Sequence, residues 1–296
     1  MDLADDRTTR WLKAGDHTLA IGGLPLLMGI VNITPDSFAD GGRYLEPEAA
    51  IDHGLRLADE GADLLDLGAE STRPGATPVT AEEELARLLP VLRELRHRVS
   101  LPISIDTYKA AVAERCLAEG ASMINDISGL SFDPALGHAV AAGKSALCLM
   151  HTPAPPRTMQ QHATYGEVVQ EVASALSSAV VKAEAAGVEH DRLLLDPGLG
   201  FGKTAQHNWT LLRNLDTLQA LGLPVVIGAS RKSFIGAALA QGSDMRAAKN
   251  PWPVEERLEG SLAVAAWCAL KRVAILRVHD VDATARVLKI VHKLVD

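Results

Sequence analysis

Three cysteines in 296 residues, Cys116, Cys148 and Cys268, are too few and too far apart for a disulfide framework, and each sits in an apolar stretch. That usage fits buried thiols in a reducing compartment. Positive charge is also in short supply: 29 Lys and Arg stand against 37 Asp and Glu, a formal net charge of −8. Such a chain lacks the footprint of a nucleic-acid binder, so any anionic ligand must meet positive charge gathered locally. Long apolar runs are missing too. The longest in the C-terminal third, residues 260–270, ends against Lys271 and Arg272 and falls well short of the ~20 residues that cross a bilayer. Residues 1–10 carry Asp2, Asp5 and Asp6 where an export signal has a basic start and an apolar run, so a cytoplasmic protein without a membrane partner is expected. The ten histidines are scattered, with no close cluster of His, Cys and carboxylates of the kind that holds zinc.

What is present is an ordinary globular composition, 47% hydrophobic and 22% charged, arranged as an alternation. Short leucine-rich or β-branched runs at 24–31, 63–67, 102–105, 122–125, 145–149, 193–195, 224–227 and 274–278 read as eight strands. Each is followed by a segment with helical periodicity, near 47–60, 81–98, 108–119, 133–142, 165–187, 206–221, 255–270 and 280–294. Gly61, Gly120, Gly143 and Gly187 stand where helices stop. Eight consecutive βα units predict an α/β protein closed into a TIM (β/α)8 barrel. The competing doubly wound sheet normally carries a glycine fingerprint after its first strand, and none stands there. No linker or low-complexity tract divides the chain, so the reading is one barrel domain over 24–296, preceded by an N-terminal extension, 1–23, with a longer loop at 241–253.

In such a barrel, chemistry collects at the C-terminal ends of the strands. There the chain places Asn32 and Asp40, then Thr72, Arg73 and Pro74, then Asp106-Thr107, Asn125-Asp126, Met150-His151, Asp196 through Lys203, Ser230-Arg-Lys-Ser233, and Arg277 through Asp280. Taken singly, an Asp or Asn after a strand is usually a turn or a helix cap. Eight polar strand ends on one rim are harder to explain that way. Asp66, Asp106, Asn125 and Asp196 close otherwise apolar strands, where an unpaired carboxylate is costly, so they call for partners rich in N–H donors. Arg73, Lys203, Arg231, Lys232, Arg277 and His279 share the rim of an acidic protein, the composition of an anion site. The run Gly198-Leu-Gly-Phe-Gly-Lys203 lacks the spacing and ending of a nucleotide phosphate loop.

The blocks Asn32-Ile-Thr-Pro-Asp-Ser-Phe, Asp66-Leu-Gly-Ala-Glu-Ser-Thr-Arg-Pro-Gly, Ile105-Asp-Thr, Ile124-Asn-Asp-Ile, Leu149-Met-His, Asp196-Pro-Gly-Leu-Gly-Phe-Gly-Lys, Ser230-Arg-Lys-Ser and Arg277-Val-His-Asp resemble, in order, the dihydropteroate synthase family. The resemblance runs from about Leu27 to Val281. It implies condensation of 6-hydroxymethyl-7,8-dihydropterin pyrophosphate with para-aminobenzoate, through loss of pyrophosphate and a cationic pterin. Thr72, Asp106, Asn125, Asp196, Lys232, Arg277 and His279 would bind the pterin pyrophosphate. Phe38, Arg73, Pro74, Phe201, Lys232 and Ser233 would form the aminobenzoate pocket, and Asn32 would ligate Mg2+. The chemistry itself is implied to fall on Asp40, Arg73, Asp196 and Lys232. A homodimer is also implied, and the small-residue run 260–269 offers either a partner face or a face packed on the barrel. A pterin-binding methyltransferase shares the carboxylates but does not need the anion-binding blocks. A non-catalytic pterin binder does not need intact motifs in the loops after strands 1 and 2.

Overall fold

The computed structural model describes residues 9–33, 46–240 and 252–295. Phe38 and Asp40, and most of the 241–253 loop, lie outside the described residues. The chain opens with an antiparallel hairpin, β1 (Arg10–Ala14) and β2 (His17–Ile21). Eight parallel strands follow: β3 (Leu26–Asn32), β4 (Leu64–Gly68), β5 (Ile103–Asp106), β6 (Met123–Asp126), β7 (Ala146–Met150), β8 (Leu193–Asp196), β9 (Val226–Ile227) and β10 (Ile275–Val278). They pair in the order β8-β7-β6-β5-β4-β3-β10-β9, and a parallel bridge from Leu195 to Val225 joins the two outer strands, so the sheet closes. Closure leaves no free sheet edge and gives the barrel expected from eight βα units.

The helices are α1 (Glu46–Asp59), α2 (Ala81–Arg98), α3 (Ala110–Ala118), α4 (Leu136–Ala142), α5 (Val168–Ala185), α6 (Ala205–Arg213), α7 (Leu215–Gln219), α8 (Ser233–Leu239), α9 (Leu258–Leu270) and α10 (Val281–Val295). Where a start signal is strong, the local sequence sets the boundary. Thr80 caps α2 by accepting the Glu83 N–H while the Glu83 carboxylate accepts the Thr80 N–H, and α2 begins where that capping box places it. Thr204 and His207 form the same device at α6. The helix expected over 206–221 is two helices, because Asn214 leaves helical geometry (φ −112°, ψ 33°) and its side-chain amide donates back to the Thr210 carbonyl.

Two apolar layers result from strand alternation. Residues facing outward, such as Leu27, Leu65, Leu67, Ile105 and Leu195, pack under the helices. Those facing inward, Met28, Leu64, Met123, Ala146, Leu194 and Ile275, fill the lower barrel, where Leu12, Ala14 and Ile21 of the hairpin join them. The N-terminal segment expected merely to precede the barrel therefore contains a plug for its bottom. The same alternation then carries the inward side two residues onward, from Leu64 to Asp66, Met123 to Asn125, Leu194 to Asp196 and Ile275 to Arg277. A dry floor thus lies beneath a polar upper chamber.

Candidate active site

Arg277 is the centre of that chamber. Its Nε donates to Asp66 Oδ2 at 2.6 Å and its Nη2 to Asp106 Oδ2 at 2.8 Å, tying β10 to β4 and β5 across the barrel. The carboxylates predicted to need donors therefore have one inside the protein. The demand is only half met: Asp66 Oδ1 and Asp106 Oδ1 are buried without a hydrogen-bond partner, a state that normally costs ~1–3 kcal/mol per group. Burial lifts Asp106 to about 7, with Arg277 opposing the rise and Asp66 adding to it. The Arg277 guanidinium is held above its ordinary value by Asp66 and Asp106 even though burial pulls the other way.

Asn125 and Asp196 complete the carboxylate-rich wall, each only 5% exposed. Asp196 Oδ1 accepts the Gly198 N–H at 2.7 Å, and burial raises its carboxyl while Lys232 pulls it back. The loop after β8 turns tightly enough that a Cβ on Gly198 would stand 2.0 Å from the His151 carbonyl, and one on Gly202 2.3 Å from Pro153 Cγ; both glycines also have positive φ. This turn presents Phe201 to Lys232, whose Nζ lies 4.7 Å from the ring centre and donates to the Leu199 carbonyl. Burial brings Lys232 down to about 8, with Asp196 resisting. His279 is also driven down, to about 4, first by burial and then by Arg277 and Arg231, so it is neutral at pH 7 and shares a 3.1 Å contact with Ser230 Oγ. Asn32 ends β3 half-buried and makes no side-chain hydrogen bond to another described residue. Ser233 is exposed at the start of α8.

Three sequence assignments change. Arg231 is not open to an anion: it forms a bidentate pair with Asp280, at 2.9 Å through Nε and closer through Nη2, and its φ of +58° is held by Ser261 and Arg257. Lys203, 4% exposed, spends its ammonium on His151 Nδ1 and the carbonyls of His151 and Phe201, bracing the loop rather than lining an anion site. Of Asn125-Asp126, only the asparagine belongs to the chamber wall; Asp126 accepts the N–H groups of Ser128 and Leu130 as a turn cap. Thr72, Arg73 and Pro74 lie on the loop between β4 and α2, and the exposed Arg73 side chain meets no described partner. Sequence reasoning missed a buried cluster at that loop's root, in which Glu70, Tyr108, Lys109 and Glu84 join. Glu70 lies inside one motif already singled out and Tyr108 and Lys109 directly follow another, whereas Glu84 reads as one of three acidic residues in an ordinary first turn.

Among the described residues no three His, Cys, Asp or Glu side chains stand together as a metal cage, and no helix is long and apolar enough to cross a membrane. All three thiols are buried, and burial pushes Cys116 and Cys268 up to about 12.

The geometry has close parallels. Residues 28–279 match the family described as "Pterin binding enzyme". The chain is 41% identical over 294 residues to a dihydropteroate synthase of Synechocystis sp., covering 99% of this chain and 98% of the relative. The Xanthomonas albilineans dihydropteroate synthase solved with 4-aminobenzoic acid is 43% identical with a TM-score of 0.88, covering 97% of this chain and 98% of that one. The same enzyme in complex with 7,8-dihydropteroate gives 41% identity and a TM-score of 0.83 over 96% and 98%. With the match spanning every strand of the chamber at this level of identity, the chain belongs to the pterin-binding enzyme family.

Proposed function

We infer that this chain catalyses the dihydropteroate synthase reaction, joining 6-hydroxymethyl-7,8-dihydropterin pyrophosphate to para-aminobenzoate. The observation that carries the reading is the pair of unpartnered carboxylate oxygens, on Asp66 and Asp106, beside Asn125 and Asp196 at the top of the barrel. An aminopyrimidine edge is a flat row of N–H donors, and it satisfies such acceptors better than a sugar or an acyl group does.

In the reaction the bond between the pterin methylene and the pyrophosphate oxygen breaks, and its electron pair leaves with pyrophosphate. The amine of aminobenzoate then gives its lone pair to the methylene and releases one proton. No strong base is required. Asp196 and the unpaired Asp106 oxygen offset the positive charge that develops on the pterin, while Arg277 and the imidazole of His279 receive the leaving anion. Asn32 suits Mg2+, a hard cation that commonly takes one protein oxygen and fills its shell from phosphate and water, because its amide oxygen is not committed to another described residue. Mg2+, when bound, neutralises charge on the departing pyrophosphate. Thr72 borders the same substrate. Arg73, Pro74, Phe201, Lys232 and Ser233 give the acceptor an aromatic wall and a cationic edge, and Asp40 and Phe38 join them in this reading.

The decisive assay follows pyrophosphate release with and without para-aminobenzoate, with the pteroate product identified by mass. Release without any incorporation of aminobenzoate sinks the assignment.

We further infer a homodimer formed through the face of α6, α8 and α9. A groove of about 310 Å³ there is lined by Trp209, Leu212, Ile235, Leu239, Val264 and Trp267, and Leu270 stands exposed beyond it. Trp267→Glu is expected to convert the dimer to a monomer in sedimentation velocity. A wild-type chain that sediments as a monomer at about 50 μM, a concentration that populates any dimer of micromolar or tighter affinity, removes the inference.

A further inference from the structure

Glu70 stands at the start of the loop that carries Thr72, Arg73 and Pro74, two residues past the end of β4, and its side chain enters a buried contact with Lys109. Its Oε1 accepts the Tyr108 hydroxyl at 2.7 Å, and its Oε2 accepts both the Lys109 ammonium and, at 3.4 Å, the N–H of Val79 at the loop's far end. One carboxylate thus pinches both ends of the 71–79 segment. Lys109 is shared: its Nζ also donates to Glu84 Oε2 at 2.5 Å, on a carboxylate only 1% exposed whose other oxygen has no partner. Arg87 fixes the Ala69 carbonyl at 2.9 Å, and Tyr108 is steadied edge-on against Phe132, 5.4 Å between centres.

Away from this root the loop is thinly supported. At its tip the Gly75 N–H donates to the Pro156 carbonyl at 3.1 Å. Behind it lies a cavity of about 330 Å³, bounded by Ser71, Ala76 and Pro78 on the loop side and by Tyr108, Phe132 and Pro155 on the other. A segment backed by an open cleft makes few packing contacts on that side, so its attachments weigh more in setting its mean position. A lysine between two buried carboxylates is also a poor way to gain stability, since well-packed apolar residues of the same volume usually do as well or better. What such a cluster does supply is direction: each bond has one geometry, and slippage leaves a buried charge unpaired.

We propose that Lys109, acting with Tyr108 and Glu84 on Glu70, is a positioning residue that sets where Thr72, Arg73 and Pro74 stand, and so governs use of the aromatic amine rather than binding of the pterin. This rests on the function proposed above. The side-chain hydrogen bonds of Lys109 and Tyr108 run to Glu70 and Glu84 and not to the donor-seeking oxygens of the chamber, so their effect on the loop passes through Glu70, two residues before Thr72. A displacement of about 1 Å at reacting groups can cost ~100-fold in rate, so a root latch need move the loop very little to matter.

The test uses the full chain with Lys109→Met, which keeps the stem and removes the charge, and Tyr108→Phe, which removes one hydroxyl and keeps the fold if Lys109→Met does not. Two readouts are taken: kcat/KM for para-aminobenzoate against the dissociation constant of the pterin pyrophosphate, and amide hydrogen exchange across residues 71–79. Expected are falls in kcat/KM for the amine of about 10-fold or more in Lys109→Met and about 3-fold in Tyr108→Phe, with pterin affinity within about twofold and faster exchange confined to the loop. Lys109→Arg, whose fork can meet both carboxylates, is expected to recover most of the loss. Unchanged amine kinetics in both variants, or equal losses for both substrates that track a lowered melting temperature, overturn the latch. Should the wild-type chain never incorporate aminobenzoate, the proposed function falls on its own. The exchange data then judge the latch: faster loop exchange upholds it and unchanged exchange overturns it.

Discussion

Arg277→Met is expected to lower the unfolding free energy by about 3–5 kcal/mol in urea titrations and to abolish measurable turnover. The side chain is replaced by an apolar one of similar length, so the loss is not chiefly one of packing. It comes from Asp66 and Asp106, which lose the guanidinium donors that stand at 2.6 and 2.8 Å while staying in the barrel interior. A pH signature separates this from general damage. Asp106 sits at about 7 because burial raises it while Arg277 holds it down. A donor edge binds the ionised carboxylate, so pterin affinity in the wild type should strengthen from about pH 6 to about pH 8 as that proton is released. Without Arg277 the carboxyl rises further and the strengthening moves to higher pH. Calorimetry in two buffers of different ionisation enthalpy checks the released proton. A variant as stable as the wild type, with the same pH profile, would remove Arg277 from the centre of the site.

Why these residues could be placed on one rim from sequence, but not paired, follows from how each kind of information is carried. The rim is a local property: a leucine-rich run, a polar residue at its end and a helix start recur eight times, and alternation of side chains fixes which strand-end residues face inward. Arg277 and Asp66, by contrast, are 211 positions apart, and their contact depends on closure and register of the whole barrel. Arg231 shows the same limit from the other side. Within Ser-Arg-Lys-Ser it reads as a free cation, yet Asp280, 49 positions on, consumes it. The plug hairpin was legible in principle, since Leu12 and Ala14 alternate with exposed Trp11 and Lys13, but five-residue alternation is a weak signal beside a 24–31 strand run. The break at Asn214 depended on a single residue leaving helical angles, which periodicity alone does not detect.

Asp196→Ala is expected to weaken binding of the pterin pyrophosphate by about 100-fold or more without lowering the melting temperature. The two halves of that expectation come from one fact. Burial raises the Asp196 carboxyl above its ordinary value, which means the fold disfavours the ionised form; removing it relieves the folded state at neutral pH, as is common for groups held for function. The ligand loses at least two charge-assisted hydrogen bonds, worth together ~3 kcal/mol or more. A second effect follows through Lys232. Its ammonium rests at about 8 because burial pulls it down while Asp196, and after it Asp106, offsets part of that cost. Without that carboxylate the lysine drops further, which weakens the cation offered to the acceptor's carboxylate. Asp196→Asn distinguishes the contributions, because it keeps an acceptor for the Gly198 N–H, 2.7 Å away, and so preserves the turn that presents Phe201. Equal defects in the two variants assign the loss to charge, whereas a much milder Asn variant assigns it to the loop. Unaltered pterin affinity in Asp196→Ala would contradict the reading of the chamber as a pterin site.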